Sequence, residues 1–216
     1  MSADWHRLHP LNPQKRLLDK TVARLRAGGV IVYPTDSCYA LGCQLGDKAA
    51  AERIRRIRQF DRNHLFTVVC RSLAEVGRYG RVDNSQFSIL KALAPGPYTF
   101  VLRASDETPR RVLHEKRKTF GMRVPDHPIT QALLAALGEP LLSRTLALPH
   151  DELPISDPEG AYARLDHLVD VVVSVGDCGY TPTTVLDLTG AEPRLIRKGK
   201  GDVSRLFPEE IGAGPV

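Results

Sequence analysis

"VIVYPTDSCYALGCQL", residues 30–45, decides how the rest of the chain is read. The apolar run from Val30 to Tyr33 reaches Pro34 and then a cluster of small oxygen-bearing side chains, Thr35, Asp36 and Ser37. A short β-branched run of this kind reads as a buried strand, and proline stops it because it has no N–H for a ladder. After Tyr39 and Gly42, a second apolar run reads as another strand. Hydroxyls and a carboxylate between two buried strands form either a plain turn or an edge that binds substrate.

Upstream, "PQKRLLDKTVARLRAGG" places Leu18, Val22 and Leu25 on one helical stripe, and Gly28-Gly29 is a helix-ending signal. Downstream, "DKAAAERIRRIRQ" predicts a helix with Ile54 and Ile57 inward and arginines around them. "LFTVVC" is strand-like, "SLAEVGRY" a short helix, and "NSQFSILKALA" a helix with Phe87, Leu90 and Leu93 on one face. "YTFVLR", "TFGMRVP", "PLLSRT", "VDVVVSV", "TTVLDL" and "PRLIRKG" read as strands. "PITQALLAALG" is a helix with Pro128 at its start and Gly138 at its end, and "AYARLDHL" is helical. Helices alternate with strands, but some connections are too short for parallel crossovers. An α/β protein with a mixed sheet fits best.

At 216 residues, one domain is the default, with a core over about 14–202, a short N-terminal extension and a frayed tail from about Phe207. No apolar run approaches the roughly 20 residues of a membrane helix. The N-terminus lacks a signal-type apolar core, so a cytoplasmic location is expected. Cys38, Cys43, Cys70 and Cys178 form no C-x-x-C pair and suit neither zinc nor a disulfide framework. Cys38 alone stands inside the opening motif. The histidines are dispersed, so no metal site is expected from protein side chains.

The formal net charge is +5, from 30 Lys+Arg against 25 Asp+Glu, and its distribution matters more than its size. "ERIRRIRQFDR" and "PRRVLHEKRKTFGMR" gather cations near strand ends. Such clusters suit a nucleotide, phosphate or RNA, or else a solvated surface. No P-loop, G-x-G-x-x-G or G-x-S-x-G is present, so a phosphate site here is unconventional. What remains is "PTDS" (34–37), "MRVP" (122–125) and "PTTVLD" (182–187), each with hydroxyls or an arginine beside a proline. Such ends can present a planar guanidinium and hydroxyls to a carboxylate or phosphate. Taken singly, each is more often structural.

Together, "VIVYPTDSCYALGC", "PGPYTFVL", "FGMRVPDHP", "PTTVLDL" and "IRKG", in that order, resemble the YrdC/YciO family of threonylcarbamoyl-AMP synthases, and "EKRKTFGMRVP" and "LGEPLLS" its YciO branch. The resemblance implies a single YrdC/RibB-like domain, a twisted mixed β-sheet flanked by helices with a concave basic surface. It implies ATP or AMP, L-threonine and bicarbonate as ligands, Mg²⁺ accompanying the nucleotide phosphates, and tRNA threonylcarbamoyladenosine as the destination. RNA, as tRNA or double-stranded RNA, is the implied macromolecular partner. Thr35, Ser37, Arg123 and Thr183 would form the threonine-like pocket, and Arg58, Thr119, Thr145 and Arg197 would meet the nucleotide. Arg55, Lys116, Arg117 and Lys118 are the RNA candidates.

Two motifs depart from the family pattern. Its K-x-R aligns with "RQF", putting Arg58 for the lysine and Phe60 for the arginine. Its S-x-N aligns with "TLA", putting Thr145 for the serine and Ala147 for the asparagine. Losing one electrostatic contact of this kind costs on the order of 10²–10³ in rate, so efficient synthesis is not expected. The other readings are a paralogue that acts on or removes the threonylcarbamoyl group of tRNA, and an RNA-binding module without catalysis.

Overall fold

The computed structural model describes residues 2–59, 66–114 and 116–208. The stretch 30–45 forms an antiparallel pair, β2 (Ile31–Tyr33) and β3 (Ala40–Gln44), with Tyr33 opposite Ala40 and Ile31 opposite Gly42. Gly42 is required by this register: a Cβ there would lie 2.7 Å from the Tyr33 ring. The Tyr33 hydroxyl lies 2.6 Å from Ser143 Oγ, which joins the hairpin to the strand beyond it.

Around that pair the sheet assembles from β1 (Asp4–Arg7), β4 (Thr67–Val69), β5 (Gly80–Arg81), β6 (Tyr98–Ala104), β7 (Thr119–Arg123), β8 (Leu141–Thr145), β9 (Val171–Ser174), β10 (Thr184–Asp187) and β11 (Arg194–Arg197). The order is β1-β9-β2-β3-β8-β4-β7-β6-β10-β11, with β5 added against β6. The pairs β1–β9, β2–β9, β4–β7 and β6–β10 are parallel and the others antiparallel. The short links of β2 to β3 and of β10 to β11 force antiparallel pairs, while most other neighbours are strands distant in sequence. The mixed sheet expected from the spacing is therefore the observed one.

Alternation along the strands divides the core in two. Ile31, Tyr33, Val171 and Val173 pack with Leu18, Val22 and Leu25 of α1 (Lys15–Arg26) and with Ile129, Leu133 and Leu137 of α5 (Pro128–Leu137). Val32, Leu41, Val68, Phe100, Phe120, Met122 and Leu142 belong to a larger cluster. It also takes Ile54 and Ile57 of α2 (Lys48–Arg58), Val76 of α3 (Leu73–Tyr79), Leu90 of α4 (Asn84–Leu93) and Leu165 of α6 (Pro158–Leu165). The helix ends match their signals: Gly28 and Gly138 have φ of +82° and +78°, and Pro128 opens α5.

Three expectations change. Residues 4–7, read as part of an extension, form edge strand β1, whose His6 is buried with Nδ1 2.8 Å from Thr21 Oγ1. Phe87 is 42% exposed, so the buried stripe of α4 narrows to Leu90 with Leu93 half-buried. A capping box between Asp83 and Gln86 secures that helix start without Phe87. Phe207, expected to open a frayed tail, packs against the larger core, and its N–H donates to the Val203 carbonyl at 2.9 Å. The rest of that tail, 209–216, lies outside the described residues. Among the described residues, no helix is long and apolar enough to cross a membrane.

Candidate functional site

A cavity of about 510 Å³ opens on the sheet where helical cover stops. Its floor is Ala40, Thr67, Thr99, Val101, Gly121, Ser143 and Val185, the small and hydroxyl residues that alternate with core residues along β3, β4, β6, β7, β8 and β10. Val69 and Leu141, one pleat on from Thr67 and Ser143, belong to the core beneath α1 and α5. Beyond them the strands carry side chains too small to fill the space, so the fold leaves a hollow there. Gly121 keeps the floor open between its neighbours: a Cβ would stand 3.3 Å from Thr67 Oγ1 and 3.5 Å from Thr99 Cγ2.

One wall is the connection between β2 and β3. The Thr35 hydroxyl donates to the Cys38 carbonyl at 2.6 Å and accepts from the N–H groups of Ser37 and Cys38 at 3.2 and 3.3 Å. This closed local network holds the loop with Thr35 and Ser37 buried and their oxygens 3.1 Å apart. Arg123, at the end of β7, lies against it. Its Nη2 pairs with Asp36 Oδ1, both side chains 9% exposed, and its Nη1 donates to Ser37 Oγ at 3.4 Å. Asp36 also accepts from the Asp126 N–H at 2.8 Å, and Lys200 Nζ donates to the Asp36 carbonyl at 2.5 Å. Arg123 Nε is buried with no hydrogen-bond partner among the described residues. A buried N–H of a charged group left unmatched is costly, and a ligand oxygen would satisfy it.

Three further arginines line the cavity. Arg58 ends α2, Arg144 comes from β8, and Arg197 ends β11. Arg197 is held by Thr183, whose carbonyl accepts from Nη2 at 2.9 Å, while Thr183 Oγ1 stands 2.8 Å from Thr99 Oγ1. Burial lowers the pKa of Arg58 and of Arg197. Arg144 is pushed down to about 10, first by burial and then by the charges of Arg58 and Arg197. Glu152 is the acidic side chain among the described lining residues. Cys38 also lines the cavity, and burial pushes its thiol up, which keeps it neutral.

Thr35, Arg58, Arg123, Thr145, Thr183 and Arg197 thus come together around one cavity. Ser37 stands just behind it, bonded to Thr35 and Arg123. Thr119 shares the β7 face of Gly121 and Arg123 but sits one pleat beyond the lining residues. Ala147 lines the cavity, whereas Phe60 lies outside the described residues. Lys116, Arg117 and Lys118 are exposed at the far end of β7 from Arg123 and line no part of the cavity. Arg55 is half-buried, its guanidinium 4.9 Å from the centroid of the Phe66 ring. Motif reading missed Asp36 as the partner of Arg123, and it missed Arg144. Alternation sets Arg144 on the side of Leu142, toward the core, so no periodic signal announces its place in the cavity.

The Sua5/YciO/YrdC family model, described as "Telomere recombination", matches residues 23–199, well over half of the chain. The chain belongs to the Sua5/YciO/YrdC family. Its similarity to uncharacterized protein YciO of Escherichia coli K12 is 55% identity over 196 residues, 91% of this chain and 95% of that protein. A threonylcarbamoyl-AMP synthase of Vibrio cholerae is 31% identical over 188 residues, 84% of this chain and 97% of the synthase. The crystal structure of E. coli YciO superposes with a TM-score of 0.91 at 53% identity, covering 94% of this chain and 99% of that one. A more distant structure shares the fold alone: P. abyssi Sua5 complexed with L-threonine gives a TM-score of 0.86 at 19% identity, over 94% of this chain and 60% of its own. The YrdC/YciO resemblance of the motifs is therefore a family relationship, and the Sua5/YciO/YrdC fold is the mixed sheet described above.

Proposed function

We propose that the cavity binds L-threonine or its carbamoyl derivative at Arg123, with an adenine nucleotide, ATP or AMP, along the arginine side. The observation that carries this reading is the unmatched, buried Nε of Arg123 beside the Thr35–Ser37 loop. A carboxylate on that N–H edge, with hydroxyls of Thr35, Ser37 and Thr183 nearby, is amino-acid recognition in its simplest form. The related V. cholerae synthase and the L-threonine complex of P. abyssi Sua5 support the choice of ligand.

In synthesis the threonine amine attacks the bicarbonate carbon and water leaves, giving a carbamate whose oxygen attacks the α-phosphorus of ATP and expels pyrophosphate. Arg123 orients the amino acid, while Arg58, Thr145 and Arg197 offset charge on the phosphates. Mg²⁺ would arrive with those phosphates and shield their charge. With Glu152 the acidic lining side chain, the donor set fits an ion carried by phosphate and water rather than one held by the protein. Ala147 offers no side-chain hydrogen bond, so synthesis is slow, and action on the threonylcarbamoyl group already in tRNA is the second outcome. Incubation with threonine, bicarbonate and ATP, and separately with threonylcarbamoyl-modified tRNA, is read by mass spectrometry. Threonine- and ATP-dependent threonylcarbamoyl-AMP, or loss of the group from tRNA, is expected. A folded protein that gives neither product overturns the reading.

Gly121→Val tests the cavity without touching a polar group. Valine suits a strand but projects its methyls into the hollow, where overpacking costs about 1–3 kcal/mol. Threonine and nucleotide affinity should fall below detection while the circular-dichroism spectrum stays that of the parent. Unaltered affinity would place the ligand elsewhere.

RNA contact belongs to the same proposal through the exposed triplet Lys116, Arg117 and Lys118. Each phosphate neutralised releases counterions and adds nearly one unit to the logarithmic salt slope. Replacing all three by Ala should flatten the slope for tRNA by roughly two to three units and weaken all sequences alike. A parental slope in the triple variant returns the loop to ordinary solvated surface.

A further inference from the structure

We propose that Tyr180 and Leu153 form a stacking platform at the mouth of the cavity for an unpaired RNA base, the neighbour of the nucleoside that enters it. The inference rests on the RNA part of the proposed function and supplies what the triplet Lys116, Arg117 and Lys118 lacks. Phosphate contacts position a nucleic acid, whereas contact with bases tells one RNA from another.

Tyr180 is 58% exposed and Leu153 59%, and neither side chain has a hydrogen bond, ion pair or ring contact among the described residues. Single apolar side chains scattered over a surface are ordinary. These two stand on loops that line one cavity and are bonded to each other. Leu153 lies between Glu152 and Pro154, both lining residues, and Pro182, two residues after Tyr180, is a third. The Cys178 N–H donates to the Ser156 carbonyl at 2.8 Å, which joins the two loops. Gly179 lies directly on the Thr35–Ser37 wall, since a Cβ there would stand 2.7 Å from the Ser37 carbonyl oxygen. Tyr180 is thus bracketed by a residue on the wall and a residue in the lining, which places it at the rim.

Both loops are fixed. Tyr39 Oη donates to the Gly176 carbonyl at 2.7 Å and the Lys200 N–H to the Pro182 carbonyl at 2.8 Å, so the segment bearing Tyr180 is held at each end. The loop bearing Leu153 is closed by the Ile155 N–H on the Leu146 carbonyl at 2.9 Å. Asp151 in that loop accepts from both Nη atoms of Arg164, at 3.1 and 2.9 Å. With its backbone pinned, Tyr180 offers a flat face at low entropic cost, because a tyrosine has few torsions to freeze.

The chemistry of the partner follows from what surrounds the ring. Lys200 Nζ lies 3.9 Å from the Cβ position of Gly179, and Arg58 and Arg197 stand within the cavity, so a group stacked on Tyr180 lies among cations. A flat π-system with negative charge beside it is a nucleotide. An aromatic residue of a protein partner brings no such charge. A free nucleotide has the cavity itself to fill, whereas a base half in water on the rim is the next residue of a chain. Bases paired in a duplex present no open face, so the platform selects an unpaired loop.

The test titrates the parent, Tyr180→Ala, Tyr180→Phe and Leu153→Ala with a synthetic RNA hairpin carrying an unpaired loop, a blunt duplex of the same length, and AMP. The parent should bind the hairpin more tightly than the duplex. Tyr180→Ala should lose about 5- to 150-fold for the hairpin, the range of one base–aromatic stack, with duplex and AMP affinities unchanged. Tyr180→Phe should keep the parental affinity, and Leu153→Ala should show a smaller loss of the same selectivity. The salt slope should stay parental in Tyr180→Ala, because stacking releases no counterions. The unliganded melting temperature of Tyr180→Ala should equal the parent's; a fall would make the ring a packing group and overturn the platform. Parental hairpin affinity in Tyr180→Ala also overturns it, leaving the exposed pair to a protein partner. So does an equal loss for hairpin and duplex, or a loss for AMP in place of the hairpin, which would assign the ring to a free nucleotide. Hairpin selectivity that depends on Tyr180 in a protein that binds no threonine strikes instead at the amino-acid reading and leaves the platform standing.

Discussion

Arg123→Met is expected to lower the melting temperature by about 10 °C. The substitution leaves Asp36 buried, its side chain 9% exposed, without the guanidinium that pairs it. Breaking a buried ion pair from one side costs about 3–5 kcal/mol, and in a domain of this size each kcal/mol is worth about 2–4 °C. Arg123→Lys should behave differently. A lysine keeps a positive charge beside Asp36, so stability falls less, but it cannot offer a carboxylate the Nε–Nη edge, and threonine affinity should drop tenfold or more. Asp36→Asn combined with Arg123→Met should recover part of the lost stability, because no charge is then stranded. Thermal melts of the three variants check this. Parental stability in Arg123→Met would mean that Asp36 finds water or another cation, and that the pair does not organise the loop.

Thr35→Val should be nearly as damaging, although it exchanges one β-branched side chain for another of the same shape. The Thr35 hydroxyl donates to the Cys38 carbonyl and accepts from the N–H groups of Ser37 and Cys38, in a segment where Thr35, Ser37 and Cys38 are all buried. Valine leaves those backbone groups unmatched, at a cost of about 2–4 kcal/mol. The loop also loses the contact that sets Ser37 against Arg123, so threonine binding should vanish before the fold does. Thr35→Ser keeps the oxygen and should restore most of both. Urea denaturation and threonine titration of the pair of variants test this. Full binding by Thr35→Val would show that the hydroxyl only decorates a turn.

The hairpin at 30–45 is legible because burial on both faces makes β2 a continuous apolar run, and Pro34 can only end it. The amphipathic helices are legible for a similar reason: Leu18, Val22 and Leu25, or Ile54 and Ile57, recur at helical spacing and are buried. Strand β1 is not legible. At the sheet edge, Asp4, His6 and Arg7 owe their β conformation to β9, far along the chain, rather than to any pattern of their own. The site divides the same way. Ordered motifs pointed to Thr35, Ser37, Arg123, Thr183 and Arg197, since each stands where a strand ends in a recognisable setting. The pairing of Arg123 with Asp36, 87 residues apart, exists only once β7 lies beside the β2–β3 connection. Arg144 is less legible still, because alternation in β8 sends it toward the core and only the end of the strand delivers it to the cavity. Local sequence carries the loops of this site, and tertiary folding creates its charge balance.

The central claim is that the unmatched N–H of Arg123 receives an amino-acid carboxylate. The most direct measurement follows the ¹⁵N–¹H resonance of Arg123 Nε, assigned by comparison with Arg123→Lys, as L-threonine is added with and without ATP. A saturable downfield proton shift is expected as the carboxylate accepts the bond, together with protection from solvent exchange. D-Threonine and glycerol should produce neither. A resonance that stays in place at threonine concentrations that saturate the protein would contradict the claim.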